Sequence, residues 1–486
     1  MDRNILIIYI PLVLLVFLLQ INPISSYFSQ DDFFHLRIIM DKEFRDIPGF
    51  FVSSLEGQTF YRPISRETYN LVMYKLFDLN PLPFHMVNLG LIILNLVFMS
   101  KIIRNLTSSL VIVFFSGLIF SISSLHSIEI YYLPSVQTLL STASALLSII
   151  FFTKFIQVGN LNYLLASILF YSFALFCHES AIILPGILFL IYFFLKKEYK
   201  KLIFCMAPFA IVALIFFLST SSITNLPAQE VYKPVFQFSK IFNTLGWYML
   251  WSFGMPEMLV DFIGPKLALR DQFITWYSYY AKIVFPSLFI TISLLLLIIW
   301  SLRQRILHNK LLAFFITAFF ISISPFLFFP QHKFVYYLSF PIIWFSAALA
   351  IILAAGWRVG SITKLLSLII ILSFIIISYQ TISLNTITHW AAKRAKAAEV
   401  LIAEFRERYP NPSMGSVFYI TDDPDYPNIA KEWGSSSKQA FFILSGSDAL
   451  QLLYRDPKIK VYYQANGLPN NIDKAKIINF MARFPY

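Results

Sequence analysis

The chain of 486 residues is 58% apolar and 13% charged, with a mean hydropathy of +0.68, whereas a soluble domain carries about 25% charged residues. So much apolar surface cannot be hidden in one core, which excludes a soluble globular protein and makes lipid the solvent of most of the chain. The net charge of +12 needs no nucleic-acid partner, because most Lys and Arg fall in short loops between apolar runs; Cys177 and Cys205 lie in or beside such runs and indicate neither a disulfide framework nor a metal site.

The first apolar run, Ile5–Ile21, is followed by no A-x-A-like cleavage site and reads as an uncleaved span entering from the cytoplasm. That places the next stretch, Ser29-Gln30-Asp31-Asp32-Phe33-Phe34-His35-Leu36, outside. A carboxylate inside hydrocarbon is disfavoured by about 2.5–3.5 kcal/mol. Asp31 and Asp32 therefore belong just beyond the bilayer, either facing a membrane-proximal substrate or capping a loop helix. Residues 22–83 form a long external loop in which Asp31–Phe44 and Ile64–Phe77 mix apolar and charged residues, as helices lying along the interface do.

Ten further spans read as Phe84–Ser100, Leu106–Leu125, Leu133–Phe152, Leu161–Cys177, Ala181–Leu195, Leu202–Thr220, Ile283–Leu302, Leu311–Phe329, Phe334–Gly356 and Leu365–Gln380. Basic residues concentrate on alternate loops, at Lys101/Arg104, Lys154, Lys196/Lys197/Lys200/Lys201, Arg303/Arg305/Lys310 and Arg358/Lys364, which are expected inside. His126/Glu129, His178/Glu179 and Gln331/His332/Lys333 are expected outside. The expected fold is an all-α polytopic membrane protein of about eleven spans, covering residues 1–383, with a cytoplasmic N-terminus in the plasma or inner membrane. A second large external loop, 221–282, contains the aromatic stretch Phe236–Val260, read as an interfacial hairpin because one extra crossing would invert every later loop. From 384 onward the tail is expected outside. Trp390–Arg408 has the composition of a solvated helix, and Ser416–Ile420 and Lys458–Tyr463 read as strands flanking a helix at Asp448–Tyr454, a small α/β appendage.

The polar residues that look out of place fall on one expected side: Asp31, Asp32, His35, Arg62, His126, Glu129, His178, Glu179, His332 and Lys333. His126 and Glu129, three apart, can share a helical face. His178-Glu179 interrupts two apolar runs, which is costly unless the pair is partnered or faces water. Together they describe an external cavity holding carboxylates and cations, suited to a proton acceptor and an anionic leaving group. Taken singly, His35, His85 and His332 read as ordinary loop residues. Asp422-Asp423-Pro424-Asp425 lacks the spacing of a calcium loop, so no metal site is assigned. A divalent cation is compatible with these carboxylates but not required by them.

The stretch Phe60-Tyr61-Arg62-Pro63, followed by Leu76-Phe77-Asp78-Leu79-Asn80-Pro81-Leu82-Pro83-Phe84-His85-Met86-Val87-Asn88-Leu89 after Asp31-Asp32, resembles the membrane glycosyltransferases of the GT-C superfamily. The resemblance is to the branch of the protein O-mannosyltransferases, ArnT and the TMTC-type proteins. Weaker echoes lie at His126-x-x-Glu129, at His178-Glu179-Ser180, where relatives often read Lys-Glu, and at Lys333-Phe334-Val335-Tyr336-Tyr337, where relatives often read Arg-Tyr-Leu-Tyr. It covers roughly residues 1–410, and no tetratricopeptide period follows. The resemblance implies transfer of a sugar from a polyprenyl-phosphate carrier to an acceptor at the external face. Asp31 or Asp32 would be the base, Arg62 and Lys333 the phosphate contacts, and His126, Glu129, His178, Glu179 and Tyr336 further substrate-binding residues. A glycan polymerase or ligase using a lipid-linked oligosaccharide is the alternative within the class. A transporter or flippase is the alternative outside it, and would show charges near span centres and repeat symmetry between halves.

Overall fold

The computed structural model describes the chain except residues 1–2, 54, 56–59, 196–198, 224–229, 265–267, 428–433, 470–476 and 486. Lys196 and Lys197 of the expected inside loops thus lie outside the described residues. Among the described residues, seven helices are long and apolar enough to cross a bilayer, and an eighth is made of Leu110–Ser121 and Leu125–Tyr131, bent by 49°. Three shorter apolar helices, Ile8–Leu19, Leu161–Cys177 and Glu179–Leu195, coincide with the remaining expected spans. Each of the eleven apolar runs read from the sequence is therefore a helix, and the chain is an integral multi-pass membrane protein.

Short polar side chains mark the helix starts. The side chain of Asn80 accepts the Leu82 N–H ahead of Pro81–Thr107, with Pro81 at the first helical position, where no backbone donor is needed. Asn160 does the same for Leu161–Cys177, directly after Gly159 has ended the preceding helix at φ +77°. Asn309 accepts from Leu311 and Leu312 at the start of Lys310–Ile323. Between these stops the helices bury one another through a continuous apolar core and turn residues such as Ile203, Phe204 and Leu214 outward, where lipid is their solvent.

The stretch around Phe236–Val260 forms a fifteen-residue helix, Phe238–Ser252, that packs Trp247, Tyr248 and Trp251 inward and is not among the candidate crossings. The first interfacial helix is shorter than expected, Asp31–Arg37, and the second is a π-helical turn, Pro63–Thr68, leading into Tyr69–Phe77. The span expected from Ile283 begins earlier, at Asp271, and kinks at Tyr277.

The tail folds as a three-stranded parallel sheet, β1 (Val417–Thr421), β2 (Lys460–Tyr463) and β3 (Ile477–Met481), in the order β2-β1-β3. Two helices, Ser436–Ile443 and Asp448–Tyr454, lie between β1 and β2 in the chain. The helix Trp390–Arg408 is not solvated all round, as its composition suggested. Ala391, Ala395, Ala398, Leu401, Ile402 and Phe405 form a buried stripe, and the Phe405 ring stacks on Phe480 of β3 with centroids 3.9 Å apart. This second core is shared, since Phe28, Phe33, Leu36 and Phe50 of the 22–83 loop are buried with Leu401, Phe418, Ile443 and Phe480 of the tail. The tail is thereby fastened over the acidic helix. Arg37 reinforces the join, donating to Gln451 at 2.9 Å and standing 3.8 Å from Asp448.

Candidate active site

A cavity of about 960 Å³ opens where the loops at one end of the bundle meet the tail. One wall is the acidic helix, through Asp31, Phe34 and His35. A second carries Arg62, Arg66 and His178, and a third Lys333, Phe334, Tyr336 and Tyr337. The tail closes it with Trp390, Arg394, Ile443 and Phe484. The structure thus brings together Asp31, Arg62, His178, Lys333 and Tyr336 of the candidate residues and leaves four, Asp32, His126, Glu129 and Glu179, out of its lining.

The two adjacent aspartates part company. Asp31 lines the cavity, and its Oδ2 accepts the Tyr132 hydroxyl at 2.5 Å. Asp32 turns away and is buried, its Oδ2 accepting the backbone N–H of Ser29 at 2.8 Å, which makes it a clasp on the loop that enters its own helix. Burial raises the carboxyl pKa of both. For Asp31 the Tyr132 hydrogen bond and the charge of Arg394 oppose the rise. Asp32 is pushed well above the usual range, with the charge of Asp31 adding to burial and only the Ser29 N–H opposing. Burial thus favours the protonated form of both carboxyls, and of Asp32 the more strongly.

Arg62 is engaged by the protein itself. It bonds Glu179 through two nitrogens, at 2.8 and 2.5 Å, donates to the Gln137 side chain, and lies over the Phe60 ring at 4.7 Å. Burial works against its charge, but Glu179 more than offsets it and holds the guanidinium pKa above its ordinary value. Lys333 is half-buried and donates to the Pro330 carbonyl at 2.8 Å. Burial lowers its ammonium pKa, while Asp261 and Glu257 act the other way. His332 is pushed down to about 4 by burial and by Arg62, and is neutral near pH 7. Among the described residues no three His, Cys, Asp or Glu side chains converge as a metal site.

His126 and Glu129 do share a face, but it is an inner one. Their side chains bond each other at 2.7 Å while fully buried; His126 also meets the Phe120 carbonyl, and Glu129 accepts the Ser339 hydroxyl. The pair staples the bent span to the Tyr336–Ser339 turn instead of lining the cavity. His85 and Asn88, from the motif that carried the family resemblance, are likewise fasteners. His85 joins the Ile130 and Ser26 carbonyls at 2.8 Å each, and Asn88 donates to the Glu129 carbonyl at 2.7 Å.

Sequence reasoning missed Tyr132, Glu257 and Arg394. The carboxylate of Glu257 accepts the Val335 N–H at 2.7 Å and the Trp390 indole N–H at 2.9 Å, tying the Lys333 loop to the first turn of the tail helix. Its signal was a lone acid in an aromatic stretch. Arg394 was one cation among several in a helix read as solvated.

No family model matches the chain, and no curated protein matches it by sequence. Among solved structures, ArnT from Cupriavidus metallidurans in the apo state matches with a TM-score of 0.50 at 12% identity, over 94% of this chain and 85% of that one. The same protein bound to undecaprenyl phosphate gives 0.49 at 11%, over 95% and 86%. The archaeal oligosaccharyltransferase AglB from Archaeoglobus fulgidus, in complex with an inhibitory peptide and a dolichol-phosphate, gives 0.44 at 10%, over 95% and 65%. At such identities the likeness is one of fold alone: the chain shares the fold of apo ArnT.

Proposed function

We propose that the chain is an inverting glycosyltransferase that moves a sugar from a polyprenyl-phosphate carrier to an acceptor hydroxyl at the external face of the membrane. The observation that carries this reading is Asp31, the one member of the acidic pair that opens to the cavity, held by Tyr132 and facing a space whose other walls carry Arg62 and Lys333. By analogy of fold alone, apo ArnT points to the same class. The carrier class is the one ArnT has been captured with.

The chemistry follows from the charges. Asp31 takes the proton of the acceptor hydroxyl as its oxygen attacks the anomeric carbon. The bond from that carbon to the phosphate oxygen breaks, and the polyprenyl phosphate leaves with the electron pair. A single in-line attack with no covalent intermediate inverts the centre. Lys333 has ammonium N–H groups beyond the one given to Pro330, so it is the direct phosphate ligand. Arg62, its fork already filled by Glu179 and Gln137, supplies positive field from a fixed position. The charges that line the cavity come from the ends of spans and from loops, which suits surface chemistry better than passage through the bundle. The cavity volume also admits a carrier-linked oligosaccharide. A glycan ligase or polymerase is thus the second reading, distinguished by the mass of the transferred unit.

The test is the Asp31→Asn variant in lipid nanodiscs. Asn keeps the size but takes no proton. Carrier binding, followed by native mass spectrometry with a short polyprenyl phosphate, is expected to persist while turnover falls by about two to four orders of magnitude. Lys333→Ala is expected to weaken the carrier by about 1.5–3 kcal/mol. Full transfer by the Asp31→Asn, Asp32→Asn double variant would end this reading.

A further inference from the structure

Asp31 stands in a closed circuit of contacts that runs through the tail. Its Oδ2 accepts from Tyr132, whose ring packs edge-on against Trp390 at 5.1 Å. One helical turn further, Arg394 lies over the Trp390 ring at 5.6 Å and the Phe442 ring at 5.5 Å. From there its guanidinium donates to the side-chain oxygen of Gln30, the residue before Asp31. The backbone N–H of Gln30 donates in turn to the Ile443 carbonyl at 2.8 Å. Gln30 has φ +54° and ψ −117°, a conformation that side chains bearing a Cβ rarely adopt and that persists only where surrounding contacts impose it. Both of those contacts come from the tail.

We infer that Arg394 and Gln30 are positioning residues for the Asp31 carboxylate, so that the C-terminal tail sets the geometry of a base it does not itself supply. The inference rests on the reading of Asp31 as the base. The ionisable groups acting on Asp31 are Tyr132 and Tyr336 from the bundle, Tyr232 from the second external loop, Asp32 on its own helix and Arg394 from the tail. Arg394 is the cation of that set. An opposite charge favours the ionised carboxylate, so removing it shifts the acid limb of any Asp31-dependent process to higher pH.

Two readouts on the full chain in nanodiscs test this. The first is labelling of Asp31 by a hydrophobic carbodiimide, which reacts with protonated carboxyls, followed against pH by peptide mass spectrometry; it requires no turnover. The second is kcat and KM for the carrier-linked sugar. Arg394→Gln is expected to move the labelling midpoint up by about one pH unit, and to lower kcat about ten- to hundredfold with little change in carrier KM. Arg394→Lys is expected to restore the midpoint but only part of kcat, because an ammonium cannot stack and donate as the planar fork does. Gln30→Ala and Gln30→Gly are both expected to lower kcat, glycine despite its ease at positive φ, since each lacks the group that Arg394 holds. A labelling curve and a kcat for Arg394→Gln that overlay those of the parent overturn the inference. If that variant does not fold, parental kcat in Gln30→Ala overturns it. A parent chain that transfers no sugar defeats the proposed function, and the labelling shift still decides the positioning role.

Discussion

Asp31 and Asp32 are adjacent in sequence and opposite in surroundings, and the difference is measurable. The folded-state pKa of Asp32 is raised above its unfolded value, so its contribution to stability is full at low pH and is lost as pH rises through the shifted pKa. Asp32→Asn removes that loss while an amide oxygen remains for the Ser29 N–H. The variant is expected to gain melting temperature on the parent steadily as pH rises from the acid end, checked by thermal unfolding in detergent. Asp31 is also raised, so the acid limb of kcat/KM is expected above the usual carboxylate range, with activity rising with pH through it. Both aspartates were legible as candidates from their place after the first span. Which of them opens to the cavity was not, because a one-residue rotation on a seven-residue helix depends on the strained backbone of Gln30, and no local pattern announces that.

At the scale of elements, the apolar runs were readable because each is long and is stopped by residues with a local reason to stop a helix, such as Asn80, Gly159, Asn160 and Asn309. The roles of polar residues within them were less so. Spacing put His126 and Glu129 on one face, but only packing reveals that this face meets Ser339 and not the cavity. Glu129→Ala is therefore expected to lower stability by about 1–3 kcal/mol, the cost of stranding buried partners, with carrier KM unchanged in steady-state assays. Arg62→Ala breaks a two-point ion pair as well as removing field, and is expected to lower both thermal stability and kcat. The tail helix was misjudged for a compositional reason. Its buried stripe opens with alanines, which score as neutral, so its amphipathic character is muted where it matters most.

For the whole molecule, the bundle followed from composition, whereas the site did not, because its walls come from segments hundreds of positions apart. Ser413→Cys is expected to react with an impermeant thiol reagent from outside and Lys101→Cys only after permeabilisation, in a background with Cys177 and Cys205 replaced. Labelling of the tail from the cytoplasm alone would reverse the assignment. The shared second core joins Phe28 and Phe33 to Phe405, Phe418 and Phe480. On a ribosome feeding a membrane, the tail residues that share this core emerge only after the whole bundle has been inserted. The acidic loop must wait, one flank uncovered, until the final strand arrives to close a contact of very long sequence separation, the slowest kind to form. The order of synthesis thereby acts as a timer: spans enter the lipid first, and the loop that carries Asp31 acquires its tail contacts last.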